Sequence, residues 1–292
     1  MSTTMTRRVW NQLAIGAAAA AMLPRETFAA AKPNSRIKGV QLGAQSYSFR
    51  DRSLDDALKA YGEVGLSCCE LWSGHLEPSG LKRDDLRKWR LTTPLSFFNL
   101  QREKFQKAGV ELYALNYSFR EDFTDEEIAR GFEITRALGA RVITASSNVT
   151  TARRIDPFAK KYKIRVGMHN HSRIVANEFA TPDDFAKAMD GMSEYICINL
   201  DIGHFTAANF DAVDFLQKHH DRIVTLHIKD RKRNQGDNVV FGEGDTPIKP
   251  VLELLMKNKW KIPANIEYEY KGPDTIAEMK RCYDYCRKAL GA

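Results

Sequence analysis

Cysteine is scarce here and poorly spaced for structural work. Five are present, Cys68, Cys69, Cys197, Cys282 and Cys286; the number is odd and no pairs stand at zinc-finger spacing, which excludes a Cys-built metal module. A membrane-spanning run is missing too, since the apolar stretch 13–23 falls short of the roughly 20 residues a bilayer requires. Glycine is absent where a nucleotide-binding sheet needs it: Gln45-Ser-Tyr-Ser-Phe49, after the first strand-like run, offers no Gly-rich phosphate turn. Charge of one sign is not in large excess. The chain carries 44 basic and 37 acidic side chains, or +7, and without residues 1–31 the balance is +5. That mild bias permits an anionic ligand and does not call for nucleic acid. Beyond residue 32 there is no long linker, no low-complexity tract and no repeat other than the alternation of strand and helix. Histidine is also rare, at seven, and the placement of four of them carries most of the information.

With 292 residues, 43% hydrophobic and 28% charged, the chain has ordinary globular composition and the length of one large domain. Eight strand-like runs, 40–46, 68–72, 111–117, 141–146, 164–168, 196–201, 223–229 and 263–269, alternate with helical segments. Several helices carry their own punctuation. Ser53 with Asp56 opens one and Gly65 closes it; Thr124 with Glu127 has capping-box spacing ahead of Ile128, Phe132 and Thr135; Thr181-Pro182 and Pro247 open two more. Residues 73–92 read as a loop with a short helix, 151–162 as a helix broken or restarted at Pro157, and 232–245 as a polar loop. The last helix presents Ile276, Met279, Tyr283, Cys286 and Leu290 on one face. Strands alternating with helices indicate a parallel sheet, and eight such units in roughly 250 residues close into a (β/α)8 TIM barrel, a single-domain α/β fold. A doubly wound sheet is the alternative.

Four strand ends carry polar residues. Arg165-Val-Gly-Met-His-Asn-His171 runs into His169 and His171; Ile196-Cys-Ile-Asn-Leu-Asp-Ile-Gly-His204 into Asp201 and His204. Ile223-Val-Thr-Leu-His-Ile-Lys-Asp230 brings His227 and Lys229, and Pro263-Ala-Asn-Ile-Glu-Tyr-Glu269 brings Glu267 and Glu269. A barrel builds its active site at the C-terminal ends of its strands. Imidazole with carboxylate suits a divalent transition ion, so His169, Asp201, His227 and Glu267 are the expected metal ligands, for Mn²⁺ first and Zn²⁺, Co²⁺ or Fe²⁺ as alternatives. Residues two apart on a strand share a face, which sets Glu70 with Trp72, His227 with Lys229, and Glu267 with Glu269. Glu70, Trp72, His204 and Glu269 are the candidate substrate-binding residues. Lys229 could neutralise an oxyanion, donate a proton, or form a salt bridge with Glu267 or Glu269. His75, His219 and His220 read as structural or surface histidines.

Met168-His-Asn-His171, Leu200-Asp-Ile-Gly-His204, Leu226-His-Ile-Lys-Asp230, Gly242-Glu-Gly244 and Ile266-Glu267 together resemble the xylose isomerase-like TIM barrel superfamily, the sugar phosphate isomerases and epimerases. The resemblance covers about residues 37–290. It implies a metal-dependent isomerase or epimerase acting on a ketose or keto-sugar through an enediolate, with a small carbohydrate as partner and no nucleic acid. In ketose 3-epimerases of this group the ligands are Glu, Asp, His and Glu on strands five to eight. Asp201, His227 and Glu267 match three of them, and His169 stands where the first Glu is usual. That Glu is one of the two acid/base carboxylates in such enzymes. Its loss leaves Glu267 as the inherited base, with His171 and Lys229 as candidates for the second proton carrier, and shifts the expectation from symmetrical 3-epimerisation toward isomerisation or β-elimination on a keto-glycoside. A nuclease of the endonuclease IV kind and a non-catalytic sugar-binding barrel are the competing readings; the first needs more metal ligands and a strongly basic face. The pattern selects neither the sugar nor an oligomeric state.

The N-terminus, Thr6-Arg-Arg-Val-Trp-Asn-Gln-Leu13, resembles a twin-arginine export signal with Trp10 at the usual Phe position. Ala29-Ala30-Ala31 supplies small residues for cleavage. Residues 1–31 are thus expected to be an export signal and 32–292 the barrel, exported to the periplasm with no stable membrane insertion after cleavage. No Cys follows the cleavage region, which argues against a lipid anchor. Such substrates cross folded, so no disulfide framework is expected; Cys68 and Cys197 should pack as small apolar groups in strands, and Cys282 and Cys286 on the core face of the last helix.

Overall fold

The computed structural model describes residues 32–292, and the expected export segment, 1–31, lies outside the described residues. Eight strands form the centre: β1 (Val40–Gln45), β2 (Cys68–Trp72), β3 (Glu111–Asn116), β4 (Val142–Ala145), β5 (Arg165–His169), β6 (Ile196–Asp201), β7 (Ile223–Ile228) and β8 (Ala264–Ile266). Each pairs in parallel with the next, and β8 pairs back onto β1 through Ala264 opposite Leu42. The sheet has no free edge, and the architecture is a single-domain (β/α)8 TIM barrel. A two-residue strand, Arg36–Ile37, pairs antiparallel with the start of β1.

Around the strands run α1 (Leu54–Val64), α2 (Arg83–Thr92), α3 (Leu95–Ala108), α4 (Asp125–Leu138), α5 (Thr151–Tyr162), α6 (Pro182–Met189), α7 (Ile202–Ala207), α8 (Ala212–His219), α9 (Ile248–Asn258) and α10 (Thr275–Ala289). Local chemistry sets their ends. Ser53 Oγ accepts from Asp56 N at 3.2 Å to start α1, and Gly65 closes it in the left-handed region at φ 94°. Thr181 and Asp184 form a reciprocal capping box at α6. Apolar helix faces pack onto the strands in one continuous core. All five cysteines are free and buried, with Cys282 and Cys286 on the core face of α10.

The barrel interior is layered. At its base Ala114, Val142, Cys197 and Val224 form an apolar plug. Above it the inward side chains turn polar, with Glu70, Thr144, Asn199, Thr225 and Asn265 all fully buried. Several bond to one another: Thr144 Oγ1 donates to Glu70 Oε1 at 2.7 Å and Asn265 Nδ2 to Thr225 Oγ1 at 2.8 Å. This layer is the floor of the candidate site.

Residues 73–92 do hold a loop and a short helix, with a 3₁₀ turn, Ser73–His75, added ahead of the ten-residue α2. Several other local expectations are corrected. Helix α5 runs through Pro157 unbroken; burial of Ala152, Ile155 and Ala159 on one side outweighs the single backbone bond that proline removes. His204 lies on α7, not on a strand, because Asp201 caps a helix immediately after β6. The 232–245 loop contains the second arm of a hairpin, Asp230–Arg231 against Asn238–Val239. Glu127 is only half of a capping box. Its backbone N–H donates to Thr124 Oγ1 at 3.2 Å, while its fully buried carboxylate accepts from Arg83 at 2.9 and 2.6 Å, Arg87 at 3.2 Å and Arg90 at 3.0 Å.

Glu127 thereby ties α2 to α4. Removing it leaves Arg90 with Glu77, Arg83 with Asp122 and Arg87 with Asp84 as remaining partners, but empties a fully buried site that three guanidinium groups share. Glu127→Ala is expected to cost about 3–5 kcal/mol in chemical denaturation; a loss below about 1 kcal/mol would show that water replaces the carboxylate.

Candidate metal centre

The C-terminal rim brings four side chains from consecutive strands together. His169 and Asp201 are the last residues of β5 and β6, His227 lies one residue from the end of β7, and Glu267 follows β8 directly. Strand register places Asp201 opposite His227 and His227 opposite Asn265. One ligand atom from each of His169, Asp201, His227 and Glu267 lies within 4.8 Å of all the others, and all four residues are buried.

Glu70 sets the tautomer of His227. The imidazole Nε2 lies 2.8 Å from Glu70 Oε2, and a carboxylate only accepts, so Nε2–H donates. Nδ1 is left facing Glu267 Oε2 at 3.0 Å and Asp201 Oδ2 at 3.8 Å. Glu70 was expected to touch substrate; it is instead fully buried beneath His227, with Thr144 on its other oxygen.

Lys229 is buried among three carboxylates: Glu269 Oε2 at 2.6 Å, Glu267 Oε2 at 2.8 Å and Asp201 Oδ2 at 3.1 Å. Gly203 makes room for it, since a Cβ there would come within 2.3 Å of Lys229 Cγ. His204, on α7, meets Lys229 Nζ at 3.1 Å and Arg231 Nη1 at 2.7 Å. Both neighbours are donors only. The shorter contact assigns Nδ1 as the acceptor from Arg231 and leaves the proton on Nε2.

Burial and charge split the titrations. Burial first, then the neighbouring His227 and His171, holds His169 well below the ordinary imidazole range. His171 and His204 are lowered by burial and by Lys229. Burial also opposes charge on His227, but the carboxylates of Glu70 and Glu267 outweigh it and raise its pKa well above the usual value. Burial pushes Asp201 up to about 6 against the pull of Lys229. Glu267 resists the same burial because Lys229 and His227 flank it, and stays well below the carboxylate range. Lys229 is raised: burial works against its charge, and Asp201, Glu267 and Glu269 overcome it.

The donor set fits a divalent ion. Asp201 Oδ2, His227 Nδ1 and Glu267 Oε2 are buried and turned toward one another, and in the metal-free protein the His227 proton and the Lys229 ammonium balance the two oxygens. Two imidazoles and two carboxylates suit Mn²⁺, Fe²⁺, Co²⁺ or Zn²⁺. Other expected residues fall as follows. His171 is exposed at the mouth, its ring 5.0 Å from His169 and 5.5 Å from His204. Trp72 is half-buried beyond Glu70 and packs edge-on against Tyr47 and His75, at 5.1 and 5.4 Å between ring centroids. His75 bonds Ser46 Oγ, and His220 stacks on Trp260, both outside the cluster. Two participants were missed. Asn199 Nδ2 approaches His227 Nε2 at 3.2 Å and His169 Nδ1 at 3.5 Å, and Arg231 holds His204. Each lies two residues from a named one, Asp201 and Lys229, so carrying the strand alternation one step further would have found them.

Residues 58–286 match the family model described as xylose isomerase-like TIM barrel. The chain belongs to that family. A curated relative, inosose dehydratase from Lactiplantibacillus plantarum, is 26% identical over 121 residues, 35% of this chain and 39% of that protein; the match therefore spans well under half of the relative's length. Among solved structures, the apo form of 3-keto-D-glucoside 4-epimerase from E. coli superposes with a TM-score of 0.66 at 13% identity, covering 85% of this chain and 99% of that one. The IOLI protein, solved with a zinc atom, superposes at 0.63 with 16% identity, covering 86% and 96%. At these identities the structural likenesses show the fold alone.

An ion taken up at His227 Nδ1 must displace a proton, because the metal-free imidazole is held protonated. Titrating metal-free protein with Zn²⁺ or Mn²⁺ near neutral pH should release about one proton per ion, with affinity falling as pH is lowered. Glu70→Gln, which keeps the shape and removes the charge behind His227, should weaken uptake about tenfold to a hundredfold by calorimetry. Unchanged affinity would remove Glu70 from the centre.

Proposed function

We propose that this protein is a divalent-metal-dependent sugar isomerase or epimerase, with Mn²⁺ as the first choice of ion, acting on a ketose or keto-sugar through an enediolate. The observation that carries the reading is the convergence of one buried ligand atom from each of His169, Asp201, His227 and Glu267 within 4.8 Å of one another, beside a buried ammonium. A divalent ion bound there would supply Lewis acidity to a substrate carbonyl and so acidify the neighbouring C–H. Glu267, kept ionised by Lys229 and His227, serves as the base. Lys229 holds positive charge where an enediolate oxygen develops negative charge, and can return a proton to it. His171, neutral at the open mouth, is the second proton carrier. His204, held by Arg231 against Lys229, positions the ammonium, and Trp72 and Glu269 are the candidate substrate contacts.

A second reading is β-elimination from a keto-glycoside. It is favoured by His169 in the position where ketose 3-epimerases carry a second carboxylate, which leaves the two proton carriers chemically unlike. The names of the relatives point both ways, one a dehydratase and one an epimerase acting beside a ketone. Either outcome begins with removal of a proton α to a carbonyl. Exchange of that proton with deuterated water should therefore be seen by NMR with a ketose or 3-keto-glycoside, should need the ion, and should fall at least about a hundredfold in Glu267→Gln. Exchange that survives Glu267→Gln and is lost in His171→Ala would reassign the base; no exchange with any such sugar would end the enolisation mechanism.

We further propose that the protein works in the periplasm after twin-arginine export. Replacing Arg7 and Arg8 by Lys should retain the unprocessed chain in the cytoplasm; full delivery of that variant would exclude the route.

A further inference from the structure

The hairpin after β7 is anchored rigidly beside the cluster. Asp230 Oδ2 accepts from Gly242 N at 2.8 Å and Gly244 N at 3.0 Å, and Oδ1 accepts from Thr246 N at 3.2 Å. Gly244 cannot carry a side chain, because a Cβ there would lie 1.9 Å from Asp230 Oδ1. Arg231 reaches both ways, from Gly236 O at 3.0 Å to Ser172 Oγ at 2.9 Å and to His204. A polar loop held this firmly forms a wall that keeps its shape.

Between this hairpin and the segment after β8 lies a cavity of ≈ 520 Å³, within the roughly 300–1,000 Å³ of ordinary ligand sites. Glu269 forms part of its lining, and Glu269 Oε2 is the atom 2.6 Å from Lys229 Nζ; the cavity and the reacting cluster share that carboxylate. Val239, Val240 and Tyr270 give it apolar surface. Asn238 lines the same space. The charged groups are Asp237, Glu243 and Glu269 against Lys271, and Arg281 offsets Glu243 at 3.7 Å. Lys229 likewise offsets Glu269 at 2.6 Å, so the balance is near neutral and no cluster of cations is left to receive a phosphate. Apolar faces beside an asparagine and carboxylates suit a neutral ring with C–H faces and hydroxyl groups.

We propose that this cavity is a subsite for the neutral second sugar of a glycoside, so that the substrate is a keto-glycoside and not a phosphorylated ketose. The inference rests on the proposed function and deepens it. The metal-loaded protein, with Val239→Trp and Asn238→Ala variants, is assayed on methyl 3-keto-glucoside and on the 3-keto form of a glucose disaccharide. Wild type should favour the disaccharide by at least about tenfold in kcat/KM, and Val239→Trp, which fills the cavity, should reduce that ratio to about one; Asn238→Ala should reduce it partway. A ratio of one in wild type, or one that survives both variants, overturns the subsite. Binding of the same two sugars and of fructose 6-phosphate, followed by NMR, separates this from the chemistry. Tighter disaccharide binding that is lost in Val239→Trp supports the subsite even where turnover is absent, whereas tightest binding of the phosphate overturns it.

Discussion

One buried ammonium governs the top of this barrel. Lys229 stands among Asp201, Glu267 and Glu269 with almost no access to solvent. Neither the carboxylates nor the lysine would be stable there alone, because an unpaired charge in such surroundings costs several kcal/mol. Their mutual placement dictates much of what surrounds them. Position 203 must be glycine so that α7 can pass over the lysine stem. Below, Glu70 needs the donors Thr144 and His227, and Asn199 and Asn265 complete the polar floor.

The same arrangement divides labour by environment. Burial drives His169, His171 and His204 toward the neutral form, with Lys229 adding to it at His171 and His204 and neighbouring imidazoles at His169 and His204, while His227 keeps its proton because carboxylates press on it from both sides. Neutral imidazoles are ready ligands and donors; the protonated one must exchange its proton for an ion. A cation, whether ammonium or metal, is required wherever Asp201 and Glu267 meet. The proposed chemistry uses that requirement directly, since a site built to balance two carboxylates is also built to balance an enediolate.

Much of this was legible from the chain. Strand ends bearing His169, Asp201, His227 and Glu267 gave the cluster, because period-two alternation and the barrel's habit of placing chemistry at strand C-termini are both written locally. Helix bounds at Ser53, Gly65 and Thr181 followed from capping. What could not be read depended on partners far apart in sequence. Glu70 faces His227 across 157 positions, and nothing around residue 70 says which way its carboxylate points. The carboxylate of Glu127 turns from its own helix cap to three arginines of α2, 37 to 44 positions away in sequence. Pro157 misled because tertiary burial outweighed a local preference. The hairpin holding Asn238 was hidden because its strands are two residues long and carry polar side chains.

The central claim is that the Asp201–His227–Glu267 corner, with His169, is a metal centre. The most direct test is anomalous diffraction from crystals of the protein loaded with Mn²⁺ or Zn²⁺, collected at the absorption edge of the ion. The account predicts a single strong peak about 2.0–2.3 Å from His227 Nδ1 and from one atom each of His169, Asp201 and Glu267, with Glu70 still bonded to His227 Nε2. An empty corner under saturating metal, with Lys229 Nζ still between Asp201 and Glu267, would contradict it.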